Sequence, residues 1–116
     1  VGRLEIAIAA GERGPVIVLS GETDLTTVPD LSAALTAQLA NGARHLTVDA
    51  AALMFADSAS IRALVLAARA LKQRGGGLVL VWPQPAVARV LSLLGVDQMI
   101  TVSLGAGTET EPGAPC

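Results

Sequence analysis

Asp57 and Ser58, within the stretch "FADSASIRALV", put a carboxylate beside a hydroxyl where a strand-like apolar run gives way to helical periodicity. Three chemistries suit a Ser at such a junction. As an N-cap, its oxygen accepts from an amide two or three residues on, stabilising the helix by roughly 1 kcal/mol. Asp57 would then favour the positive end of the helix dipole. As a nucleophile, Ser58 needs a base, normally a His held by a third group. As a phosphoacceptor it gains about −1.5 to −2 charge at neutral pH. The unpaired amides of a helix start welcome that charge. Asp57 opposes it, and so does Asp24, expected on the same rim because it follows the neighbouring strand.

The rest of the chain tests these chemistries. The only His is His45, at the start of a predicted strand. In a parallel sheet that end lies opposite the strand-to-helix loops. No Gly-x-Ser-x-Gly elbow surrounds Ser58, and an Asp is a poor base for a Ser at neutral pH. Hydrolase chemistry is therefore not expected. Glu22 and Asp24 with one His and one terminal Cys make a poor metal set, so no metal and no cofactor are expected. "RGGGL", Arg74 to Leu78, lacks the Gly-Lys-[Ser/Thr] ending of a phosphate loop and precedes a strand. Capping and phosphorylation both stay open on the residues alone.

Composition narrows the class. The chain has 116 residues, the length of one small domain. Its aromatic residues are Phe55 and Trp82 alone, so Val, Leu, Ile and Ala must build the core. That is the palette of a parallel sheet covered by helices. A net charge of −2 gives no electrostatic reason for a nucleic-acid partner. The lone Cys116 excludes an intrachain disulfide and fits a reducing cytosol. Apolar runs are broken well short of about 18 residues, and no signal-peptide pattern opens the chain. A cytoplasmic protein with no membrane insertion is expected. The first residue is Val1, which leaves a longer parent protein open.

The elements that must position Asp57 and Ser58 follow from periodicity. Leu4–Ala9 and Pro15–Gly21 read as strands able to form a hairpin across "GERG". "ETDLTTVPD" reads as a polar loop. A helix starts near Pro29, buries Leu31, Leu35 and Leu39, and stops at "NGAR". His45–Ala50 is the third strand. The helix after Ser58 buries Ile61, Leu64, Val65, Ala68 and Leu71, with Arg62, Arg69, Lys72 and Arg74 on a solvated face. Leu78–Trp82 is the fourth strand. Pro83 and Pro85 introduce a third helix with Val87, Val90, Leu91 and Leu94 inward. Met99–Val102 closes the pattern, and residues 104–116 read as a disordered tail. The order β-β-α-β-α-β-α-β predicts one α/β domain, residues 2–103, with a mainly parallel sheet and right-handed crossovers. Trp82 reads as packing near a strand end, or as a partner anchor if exposed.

"LSGETDLTT" followed by "FADSASIRAL" resembles the STAS domain family, and within it bacterial anti-sigma factor antagonists of the sporulation and general-stress type. Those members show Gly-Glu-x-Asp after the second strand and Asp-Ser-[Ser/Thr]-Gly-[Leu/Ile] at the head of the second helix. "RGGGLVLVWPQPAVARVLSLLGVDQMI" resembles the family's ending. The likeness covers nearly the whole domain.

The resemblance implies docking on a cytosolic anti-sigma factor that is also a serine kinase, which frees the sigma factor. It further implies phosphorylation of Ser58 by that kinase to end binding, and a phosphatase to reset it. Ser58 matches the phosphoacceptor and Asp57 the Asp before it. Gly21, Glu22 and Asp24 match the first motif. Ala59 stands where the family has Ser or Thr, Ser60 where it has Gly, and Arg62 where a small residue is common. Ser60 enters as an alternative acceptor. The expected partner surface comprises Gly21, Glu22, Asp24, Asp57, Ser58, Ala59, Ser60 and Arg62. Two other readings stand beside it: an accessory STAS module of a membrane transporter complex, of the lipid ABC or sulfate-permease type, and a small enzyme.

Overall fold

Alternating burial along the strands defines the sheet. A computed structural model describes residues 3–96 and 99–103. The expected tail, residues 104–116, lies outside the described residues. The elements are β1 (Leu4–Ala10), β2 (Pro15–Thr23), α1 (Val28–Ala40), β3 (His45–Ala56), α2 (Ser58–Gln73), β4 (Gly77–Val81), α3 (Pro85–Leu93) and β5 (Thr101–Ser103). The order matches the sequence expectation.

The strands lie side by side in chain order, β1 antiparallel to β2 and the rest parallel. Each βαβ crossover steps to the next strand in the same direction. Right-handed connections of that kind carry all three helices to one face of the sheet. Ile17, Leu19, Leu46, Val48, Leu78 and Leu80 point to that face and are buried. They meet Leu31 and Leu35 of α1, Ile61, Leu64 and Leu71 of α2, and Val87 and Leu91 of α3. Each fully buried aliphatic side chain contributes about 1.5–3 kcal/mol by leaving water. The alternate residues Val16, Val18, Thr47, Asp49, Val79 and Val81 are only half-buried. One face of the sheet is covered by helices and the other is open. The cause is topological, since no crossover reverses direction.

Several boundaries differ from the sequence reading. β2 continues through Glu22 and Thr23, which were expected in the loop, and β3 continues through Ala56. β4 covers Gly77–Val81 and β5 Thr101–Ser103, each one or two residues from expectation. Leu94, expected inward, is 47% exposed at the C-terminal cap of α3. Arg74, placed on a solvated face by spacing, instead laces two helix ends together. Its Nη1 donates to the carbonyls of Leu39 (2.8 Å) and Ala43 (3.0 Å). Arg44 in turn donates to the Arg74 carbonyl through Nε (3.2 Å) and Nη2 (3.0 Å). These bonds tie the end of α1 and the start of the following connection to the end of α2.

The close approach of Arg44 explains one glycine of "RGGG". A Cβ at Gly76 would collide with the Arg44 carbonyl oxygen, whereas one at Gly77 would meet nothing within 4 Å. Gly76→Ala is expected to destabilise the fold by about 2 kcal/mol or more, and Gly77→Ala to be neutral within about 1 kcal/mol. Paired urea melts check this, with the difference read from the midpoints.

Candidate functional site

Parallel pairing of β2 with β3 carries the two motif stretches to one rim. Val16 pairs with Thr47 at the start of the ladder, and Thr23 with Ala56 at its end. Between Val18 and Ser20, and again between Gly21 and Glu22, β3 advances one residue more than β2. Such bulges break the alternation of side chains. Leu53 and Ala56 stay in the core, while Met54 and Phe55 turn outward and are 59% and 46% exposed. This is why β3 escaped full recognition in the sequence: "AALMFA" is buried at every third residue, not every second.

Asp57 closes the rim. Its amide donates to the Thr23 carbonyl at 3.2 Å, tying the end of β3 to the end of β2. Its carboxylate Oδ1 accepts from the Ser60 amide at 2.9 Å and the Ser60 hydroxyl at 2.8 Å. The backbone of Asp57 is extended (φ −92°, ψ 179°), the conformation of an N-cap. The capping role considered for Ser58 therefore belongs to Asp57. A side chain at the cap reaches the amide three residues on; Ser58 is already the first helical residue. Ser58 is exposed, and its hydroxyl bonds to no other described residue.

Ser60 is fully buried and its hydroxyl is engaged by Asp57. That removes it as an alternative acceptor on the folded chain and as a direct contact residue; its part is to hold the cap. Ala59 is half-buried, and Arg62 is exposed one turn along α2. With Val65, Arg69, Leu94 and Val96, these residues and Ser58 line an open groove of about 520 Å³.

The β2–α1 loop is folded upon Asp24. Its Oδ1 accepts from the Thr26 hydroxyl (2.6 Å), the Thr26 amide (2.9 Å) and the Thr27 amide (3.2 Å). The Thr27 hydroxyl accepts from the Asp24 amide at 2.9 Å. The bond from the Thr26 hydroxyl is the main reason the Asp24 carboxyl lies below its ordinary pKa, against a desolvation that raises it. Glu22 is exposed, and Leu25, at the tip, is 73% exposed. Gly21 has φ +102°, and a Cβ there would strike the carbonyl oxygen of Arg3, just before β1. The structure thus assigns Gly21 a backbone role within the hairpin.

Glu22, Asp24, Asp57 and Ser58 share one rim, as expected. His45 begins β3, so it sits at the far rim, on the order of 30 Å away along the strand. Sequence reasoning missed Leu25, Met54 and Phe55 as exposed apolar residues at the same end of the sheet as Ser58. A Leu inside a run of Thr and Asp was the available signal. So was an adjacent pair of large apolar residues, since neighbours in a strand cannot both face one core. Trp82 also follows a strand's C-terminal end; it is 40% exposed, with φ 57°.

A family model described as "Mlab, STAS domain" matches residues 6–102. The chain belongs to the STAS family. Its fold resembles an anti-sigma factor antagonist from Mycobacterium paratuberculosis, with a TM-score of 0.79 and 26% identity over 86% of this chain and 85% of that one. It also resembles the anti-sigma factor antagonist SpoIIAA in its unphosphorylated form, with a TM-score of 0.73 and 24% identity over 85% of this chain and 88% of that one. The Bacillus SpoIIAA in its phosphorylated form is similar too, at a TM-score of 0.64 and 23% identity over 89% and 91%. The STAS architecture expected from the sequence is the one observed.

Two outcomes follow from the rim. Asp57→Ala leaves the Ser60 amide and its buried hydroxyl without their acceptor, and should cost about 1–2 kcal/mol. Ser58→Ala should leave stability unchanged within about 0.5 kcal/mol, because its hydroxyl bonds to no described residue. Thermal or urea unfolding of the two variants measures both. In the loop, a carboxyl with a lowered folded-state pKa contributes stability above its unfolded pKa and loses it as pH falls through the folded one. Carboxyl-carbon NMR titration should find Asp24 protonating below the ordinary Asp range, and Thr26→Val should move it back up.

Proposed function

We propose that this STAS domain is an anti-sigma factor antagonist whose rim docks on an anti-sigma factor with serine kinase activity, and that phosphorylation of Ser58 ends the docking. The observation that carries the reading is the division of roles at the head of α2. Asp57 does the capping, so the Ser58 hydroxyl is exposed and bonds to no other described residue, and a kinase can take it without unmaking the helix. Leu25, Met54 and Phe55 supply exposed apolar surface at the same end of the sheet, available to a docking partner. The likeness to antagonists, one of them known in a phosphorylated form, supports the same reading.

The chemistry is a phosphoryl transfer. The Ser58 oxygen attacks the γ-phosphorus of ATP, the bond to ADP breaks, and the hydroxyl proton passes to a base on the kinase. The product takes the net charge from −2 to about −4. Locally the new phosphate faces unpaired amides at a helix start, so the fold tolerates it. On the surface it joins Glu22 and Asp24 on a rim already carrying negative charge. A partner face shaped for a neutral hydroxyl then meets repulsion and a desolvation cost. A separate phosphatase restores the hydroxyl. Residues 2–103 form the docking unit, its activity is binding in the cytoplasm, and Arg62 flanks the contact.

Intact mass after incubation with ATP and serine-kinase anti-sigma factors of the same cell tests this. One added phosphate is expected, lost in Ser58→Ala and retained in Ser60→Ala. A stable complex that never gains phosphate contradicts the switch while keeping the docking. Neither phosphate nor complex contradicts both, and favours the reading as an accessory module of a membrane transporter complex.

A further inference from the structure

We propose that β1 is a self-association edge, pairing antiparallel with β1 of a second copy to make one continuous sheet. Among the described residues, β1 ends the sheet, with β2 on one side and no strand on the other. The hydrogen bonds at its two ends fix which backbone groups are free. The Glu22 amide donates to the Arg3 carbonyl, and the Gly11 amide to the Gly14 carbonyl. With the unbroken register from Leu4↔Gly21 to Ala10↔Pro15, odd-numbered residues direct their amides and carbonyls toward β2. Leu4, Ile6, Ile8 and Ala10 direct theirs outward.

Protected edges carry a Pro, a bulge, a Lys or an inward-pointing charge. β1, "LEIAIAA", has none of these. Its one charge, Glu5, pairs in register with Ser20 and so lies on the open face of the sheet. Leu4 and Ile6 pack against the core on the helix-covered face, and Ile8 continues their row uncovered, at 49% exposure.

A self-complementary register is available to this edge. Centred on Ala7, it pairs Leu4 with Ala10 of the second copy and Ile6 with Ile8 of the second copy, reciprocally. Every outward amide and carbonyl from Leu4 to Ala10 is then bonded, because paired residues exchange both bonds. Glu5 faces Ala9 of the second copy, so no like charges are opposed. A register centred on Glu5 would set two carboxylates against each other. The symmetry axis lies perpendicular to the sheet, so both helical layers fall on one side and the Ile6 and Ile8 rows join across the seam. This contact is isologous and consumes the edge, so it stops at two copies. The free edges left are the short β5 strands. Strand direction reverses across the axis, so the two Ser58 rims point in opposite directions and both stay open.

Sedimentation equilibrium from micromolar to high-micromolar concentration tests the pairing. The expected result is a mass rising toward twice that of the chain, returning to one chain mass in Ile8→Pro and in Ile8→Lys. The Ile8 amide faces outward, so Pro there removes no bond within the chain; circular dichroism checks that the fold is kept. In a Cys116→Ser background, Ala7→Cys is expected to form an oxidised dimer. Directly opposed residues of its kind have Cα atoms about 4.5 Å apart, within reach of a disulfide. Glu5→Cys, roughly 13 Å from its mate at about 3.3 Å per residue, is expected not to. A chain that stays monomeric throughout, a dimer untouched by both Ile8 variants, or cross-linking at Glu5→Cys instead of Ala7→Cys overturns the proposal.

Discussion

The carboxylate of Asp57 is the constraint on which the rim depends. It satisfies the Ser60 amide and the buried Ser60 hydroxyl, while the amide of the same residue is held by Thr23. One residue therefore fixes the start of α2, the end of β3, and the distance of both from β2. Remove it, and a buried hydroxyl and a helix-end amide lose their partner together. The consequence for function is what Asp57 leaves undone. Because it caps α2, the next residue inherits a helical backbone with no structural duty for its side chain, and Ser58 stands free.

The surroundings of Ser58 are set by two departures from regularity. Extra residues in β3 turn Met54 and Phe55 outward where an even strand would have buried one of them. Across the ladder, Asp24 gathers Thr26 and Thr27 into a tight loop, which leaves Leu25 at its tip. The result is one end of the sheet that carries exposed apolar side chains, an exposed hydroxyl and carboxylates. On the proposed reading, added charge at the hydroxyl is tolerable to the helix and adverse to a docked partner, the contrast a switch requires. Ser60, where the family commonly has Gly, fits the same scheme. Its side chain does not crowd the surface because it turns into the core and bonds back to Asp57.

The fold was legible because the signals were local. Pro29, the Leu31 and Leu35 spacing, and the glycine stops after α1 and α2 mark helix ends directly. The β-α alternation then leaves few topologies. The site was legible in part, through Glu22, Asp24, Asp57 and Ser58. What sequence could not supply depends on relations between distant residues. Whether Ser58 or Asp57 caps α2 turns on a backbone angle. The bulges of β3 exist only relative to β2. Arg74 reads as a surface cation until the end of α1 is placed beside it, and the open sheet face follows from crossover direction, not from composition.

The central claim is that charge at Ser58, and not a change of fold, decides docking. Isothermal titration of the anti-sigma factor with unmodified and Ser58-phosphorylated domain tests it most directly, with heteronuclear NMR spectra of both forms as the fold control. The account predicts a loss of affinity of about 100-fold or more on phosphorylation, in keeping with the several kcal/mol of opposed charges at an interface, and spectral changes confined to the rim. Equal affinity of the two forms, or a loss accompanied by changes throughout the core, would contradict it.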